Sequence, residues 1–156
     1  MPVRFLKNAS ELADVSWETP LPVQVANAKP VPADTLLVAT LTVDTTARDL
    51  LGSTAAELPT LDGCMQYRKL VWFYFRAGGD STTYRVLARA TDHNGAPLGA
   101  GWQEIAPPTP LPGEANTWGR IEIPATTDGY YDQYRIEVWR TAGNNYTLTS
   151  KIVGVR

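Results

Sequence analysis

Proline and glycine cut this chain into short pieces and leave one place for a helix. Of its 156 residues, twelve are proline and twelve are glycine. Pro20, Pro22, Pro30 and Pro32 punctuate the first third, and Pro107, Pro108, Pro110 and Pro112 form a second cluster. Proline fixes φ and has no N–H to donate, so neither cluster can form a helix or a central strand. Residues 1–33 therefore read as an extended arm, and residues 107–116 as a long loop on a polyproline-like path. The one helical candidate, Ala47–Leu58, is interrupted by Gly52 and stopped by Pro59, so a helix there is short or absent.

The pieces between these breaks have strand character. Thr35–Val43 is β-branched and apolar, and Tyr67–Phe75 is rich in aromatics. In Thr82–Thr91, Tyr84, Val86 and Ala88 alternate with Arg85, Leu87 and Arg89. Gly101–Ala106 is a short candidate. Trp118–Ile123, Gln133–Arg140 and Leu148–Val155 complete the set. Period-two alternation over short runs marks half-buried antiparallel strands. Turn residues separate them: Asp92-His93-Asn94-Gly95, then Gly78-Gly79-Asp80 and Ala142-Gly143-Asn144-Asn145, the last two read as hairpin turns. The expected fold is all-β: one antiparallel sandwich or jelly roll of seven to eight strands over residues 34–156, preceded by the arm. Thr45–Met65 is then a long excursion off the sandwich, of the kind that is functional or packs on a partner.

Composition removes many functions. Fourteen basic residues against sixteen acidic give a net charge of −2, which argues against a nucleic-acid partner or attraction to an anionic membrane. No window approaches eighteen consecutive apolar residues, so no membrane span is expected. The first residues lack the apolar stretch of a secretory signal.

His93, the single histidine, sits in a turn, and Cys64, the single cysteine, reads as a small buried hydrophobe. Together they give neither a Cys/His zinc site nor a disulfide. There is no Gly-x-Ser-x-Gly elbow, no Gly-x-Gly-x-x-Gly and no P-loop. Asp128 and Asp132 are too few for Ca²⁺ and read as turn caps. No enzyme activity and no cofactor are expected.

Aromatics are in surplus, with five tryptophans, seven tyrosines and three phenylalanines. Trp72, Phe73, Tyr74 and Phe75 are consecutive, so one pair faces the core and the other a covering arm, a second layer or another subunit. If Tyr134, Ile136 and Val138 face the core, Trp139 and Arg135 face outward. Trp118 shares a face with Arg120 in the same way. Outward tryptophans beside arginines suit a protein interface. Ten of the fourteen cations are arginine, which tolerates interfaces better than lysine. The arm carries Phe5, Leu12 and Trp17 between its prolines, too apolar for a free tail. The expected partner contacts are thus Phe5, Leu12, Trp17, Trp118, Arg120, Arg135 and Trp139. An alternative is a sugar-stacking platform of Trp102, Trp118, Tyr130 and Tyr131 with Asp128 and Asp132 as polar contacts, as in a carbohydrate-binding module or tail adhesin.

The order of an arm, an aromatic strand (KLVWFYF, Lys69–Phe75), a Trp-Gly-x-Ile-x-Ile-Pro strand (Trp118–Pro124), a Tyr-Arg-Ile-Glu-Val-Trp strand (Tyr134–Trp139) and a last strand running to Arg156 resembles the small jelly-roll structural proteins of tailed-bacteriophage virions, such as capsid decoration or cement proteins. The resemblance covers roughly residues 35–156. It implies an accessory structural role on the capsid surface of a virion, after synthesis in the host cytoplasm. The implied partners are the major capsid protein and copies of the chain itself, as a trimer.

Overall fold

Strand pairing folds the chain back on itself about one central hairpin. The computed structural model describes residues 4–8, 11–14, 33–78, 81–99, 101–123 and 131–156. They belong to two units, Met1–Val31 and Pro32–Arg156. In the first unit, β1 (Arg4–Asn8) and β2 (Glu11–Asp14) form an antiparallel hairpin where the sequence reads as an extended arm. Phe5 pairs with Ala13 and Leu12 with Leu6.

The second unit holds β3 (Ala33–Val43), β4 (Arg48–Asp49), β5 (Lys69–Ala77), β6 (Ser81–Arg89), β7 (Gln103–Pro110), β8 (Trp118–Ile123), β9 (Gln133–Ala142) and β10 (Tyr146–Val155). Sheet I has the order β3-β10-β5-β8 and sheet II the order β4-β9-β6-β7. The nested pairs are β6 with β7, β5 with β8, β4 with β9 and β3 with β10, all antiparallel. A long hairpin rolled into two sheets in this way is a jelly roll.

Of the consecutive strands of the second unit, only β6 and β7 are bonded neighbours; every other connection between its described strands crosses from one sheet to the other. The 78–80 and 142–145 turns therefore carry the chain between sheets and do not close hairpins as expected. Gly79 and Asp80 of the first lie outside the described residues. The Asp92–Gly95 turn does lie within a sheet, between β6 and β7. The Asp92 carboxylate accepts from the N–H groups of Asn94 and Ala96, and Gly95 takes φ 80°.

Alternation is kept where a strand has a core on one side only. Trp72 and Tyr74 of β5 and Leu148 and Ile152 of β10 point into the sandwich, against Val86 and Ala88 of β6 and Ile136 and Val138 of β9. Trp72 spans the layers, 5.1 Å from the Tyr74 ring and 5.8 Å edge-on to Tyr84 of β6. Two glycines leave room for rings. Gly119 of β8 pairs with Tyr74, whose ring occupies the space a Cβ would need. A Cβ on Gly154 would stand 2.6 Å from the Tyr67 ring. The Tyr67 hydroxyl donates to Asp34 at 2.8 Å, and Arg156 binds the same carboxylate. These bonds tie the start of β3 to the segment before β5 and to the residue after β10.

Two further expectations are corrected. Pro107, Pro108 and Pro110 belong to strand β7, not to a loop. β7 is the edge of sheet II and its register shifts twice, so its missing N–H groups interrupt little of the ladder. Thr45–Met65 is not an excursion off the sandwich. Arg48 and Asp49 pair with Val138 and Glu137, Leu61 bridges Tyr134, and the stretch between lies as a strap over the outer face of sheet II. No α-helix forms at Ala47–Leu58. A left-handed Gly52 turns the chain, and the Asp49 carboxylate accepts from the N–H groups of Leu51 and Ser53.

Candidate docking surface

The two outer faces of the sandwich differ in kind. On sheet II, polar side chains face outward yet are buried beneath the strap. Arg135 is 1% exposed and Glu137 is 5%. The Arg135 guanidinium donates to Glu137 at 2.7 Å, to the carbonyls of Ala55 and Leu58 at 2.7 Å and to that of Ser53 at 3.2 Å. The Asp49 carboxylate lies 3.9 Å away. Arg85 reaches the other Glu137 oxygen at 2.6 Å. Burial pushes the Glu137 carboxyl up, but the Arg135 and Arg85 hydrogen bonds outweigh it and hold the group below its usual range. Next to it, Arg89 donates to Gln133 and to the Glu57 carbonyl and lies 4.1 Å over the Trp102 ring. The Trp102 indole N–H is bound by the Ala56 carbonyl at 2.7 Å.

Arg135 is therefore not a partner contact. It fastens the strap. Trp139 is half-buried on this same sheet, whereas Trp118 belongs to sheet I, so no single row of outward tryptophans exists. The sugar platform is not brought together either. Trp118 pairs with Phe75 near the end of β5, while Trp102 precedes Gln103, which pairs with Ala88 at the opposite end of β6 in the other sheet. Tyr131 stacks edge-on to Tyr134 and donates to Gln103 at 2.7 Å. Asp132 accepts from Thr91 through its carboxylate and from the Cys64 N–H through its carbonyl. Tyr130, Asp128 and Trp17 lie outside the described residues, as do the side-chain surroundings of Phe5 and Leu12.

Among the described residues, the outer face of sheet I is open where that of sheet II is covered. Its register sets Val38, Lys151, Phe73 and Arg120 in one row across four strands, and Thr40, Thr149, Phe75 and Trp118 in the next. Trp118 is 67% exposed, Val38 68% and Phe73 36%. Phe75 supports Trp118, their ring centroids 5.3 Å apart. Glu122 binds both Lys69 at 2.5 Å and Arg120 at 2.6 Å, and the Lys69 hydrogen bond leads in holding its carboxyl below the usual range. The result is an aromatic centre among three cations and one anion. Val38 and Lys151 are not singled out by sequence reasoning, because only the cross-strand register brings them beside Phe73.

The described residues gather no three His, Cys, Asp or Glu side chains that could hold a metal, and no helix among them is long and apolar enough to cross a membrane. Cys64 is buried, and burial, with the Asp132 and Asp62 charges, pushes its thiol up to about 12. The native protein is expected to leave 5,5′-dithiobis(2-nitrobenzoate) unreacted at pH 8 and to release about one equivalent of chromophore in denaturing urea. Fast reaction without urea would show Cys64 to be open.

The chain was compared with protein-family models, with curated proteins and with solved structures, and it matches none of them.

Proposed function

We propose that this protein is a structural accessory protein that docks on a protein lattice, in the manner of a virion capsid decoration protein, through the open face of sheet I. The observation that carries the reading is Trp118. A large aromatic ring left 67% exposed, backed by Phe75 and flanked by Phe73 and Arg120, is an anchor in want of a pocket. The fastened strap on sheet II supports the same reading, since it leaves one aromatic face for a partner. The apolar, proline-punctuated residues 1–33 supply a second point of attachment.

Co-sedimentation tests this, using empty shells assembled from a tailed-phage major capsid protein and stripped of their own decoration protein. The full chain binds saturably and raises the melting temperature of the shells. Trp118→Ala weakens binding at least about 30-fold, the size of an interface hot spot. It shifts the protein's own melting by only a few degrees, because the ring is mostly outside. Binding unchanged in both Trp118→Ala and Phe73→Ala would overturn this face as the contact. Shells from the virus that encodes the chain failing to bind it would overturn the decoration role.

A further inference from the structure

A sandwich has four edge strands, and three of these are blocked. β4 is two residues long. β7 carries Pro107, Pro108 and Pro110, which have no N–H to offer, and two register shifts. β8 is six residues long and carries Arg120 and Glu122. Short length, proline, bulges and charges are the usual means of keeping an edge from pairing.

The fourth edge has none of these over most of its length. β3 runs eleven residues, and among the described residues it is bonded on one side only, to β10. Its stretch 35–43 reads TLLVATLTV, without charge, proline or glycine. Its one irregularity lies near its start, opposite Ile152 and Val153, and the ladder from Leu37 to Val43 is regular. Val38, Thr40 and Thr42 stand exposed on the outer face of this run.

We infer that β3 pairs with β3 of a second copy, antiparallel about a two-fold axis, joining the two copies of sheet I into one eight-stranded sheet. A second copy suits this edge better than a charged peptide. Nothing in 35–43 would pair with a charge, and a like strand meets it without like-charge repulsion. With Thr40 opposite its own mate, Val38 faces Thr42 on both sides of the axis, a β-branched pair on one face. Such pairing is isologous and closes at two copies, in contrast to the trimer that the resemblance implies. It is independent of docking through Trp118.

Sedimentation velocity of the full chain between about 1 and 200 µM reads the result. The mass rises from 17.1 kDa to twice that value. Val38→Lys and Thr42→Lys each set charges against the partner strand and weaken the dimer at least about 10-fold, while Trp118→Ala leaves it intact. Thr40→Cys forms a disulfide-linked dimer on mild oxidation, and Thr147→Cys on β10, exposed but one strand from the edge, does not. A mass of one copy at 200 µM, a mass of three copies, or a dimer indifferent to both lysine variants overturns the inference. Should the lysine variants fail to fold, the cysteine pair decides alone: equal cross-linking at Thr40 and Thr147 counts against β3.

Discussion

Replacing Arg135 by alanine is expected to cost about 3–5 kcal/mol, the range for removing one partner of a buried ion pair. The loss has two parts. Glu137 loses one of its two cations while remaining buried, and Asp49, 1% exposed, loses the charge at 3.9 Å. The carbonyls of Ser53, Ala55 and Leu58 also lose their donor, so the strap is no longer held to sheet II. Urea unfolding followed by far-ultraviolet circular dichroism measures it, and melting falls on the order of 10–20 °C. Arg120→Ala is the control. Its pair with Glu122 is half-exposed and is worth under about 1 kcal/mol. Equal midpoints for the two variants would contradict the fastening role.

The same cluster gives a pH dependence of definite sign. Glu137 is held below its ordinary 4.5 in the folded protein. Its contribution is complete above that value and is lost as pH falls through the lower, folded-state value. Stability therefore declines on acidification below about pH 4.5, and less steeply in Glu137→Gln.

The second large effect is expected at Gly119. A valine there places its Cβ in the Tyr74 ring, which is 1% exposed and donates through its hydroxyl to the Pro112 carbonyl. Either the ring leaves the core or β8 leaves β5. Expelling a large buried aromatic costs about 3–5 kcal/mol, and Gly119→Val should cost that much. A double-mutant cycle with Tyr74→Ala separates this clash from a general dislike of valine. In the Tyr74→Ala background the Gly119→Val penalty shrinks to below about 1 kcal/mol. An undiminished penalty would place its origin in the backbone and not in the ring.

Strand positions were legible because alternation and turn residues are local. Trp118–Ile123 is a strand at its expected bounds, and the expected strands at 35–43, 82–91, 133–140 and 148–155 recur with ends moved by one or two residues. The β5 strand begins two residues late and ends two residues later, at Ala77. The partner of each strand was not legible. A glycine turn says that the chain reverses, but the returning strand can join its neighbour or cross to the other sheet. Burial failed at one place for a related reason. Arg135 and Glu137 alternate with Ile136 and Val138, and polar residues on the second face of a strand read as solvated. All six residues from Gln133 to Val138 are buried, because the strap brings carbonyls that accept from Arg135, which with Arg85 pairs Glu137. Its signal was present as a long segment carrying Asp49, but nothing local linked that segment to β9. The open face of sheet I was half legible: alternation set Trp118 and Arg120 outward and the aromatic run showed that two rings face away from the core, and the register supplied Val38 and Lys151 beside them.

The nested pairing of the jelly roll sets an order of assembly. β6 ends at Arg89 and β7 begins at Gln103, the nearest in sequence of the four nested pairs, so closing that loop costs the least chain entropy. β5 with β8, β4 with β9 and β3 with β10 each enclose the pair before, and the last joins residues as far apart as Ala33 and Val155. Each outer pair is cheap to close only after the inner ones have drawn its strands together. Folding outward from the β6–β7 hairpin is then expected at the slow rates of non-local topologies, with β3 the last strand to join.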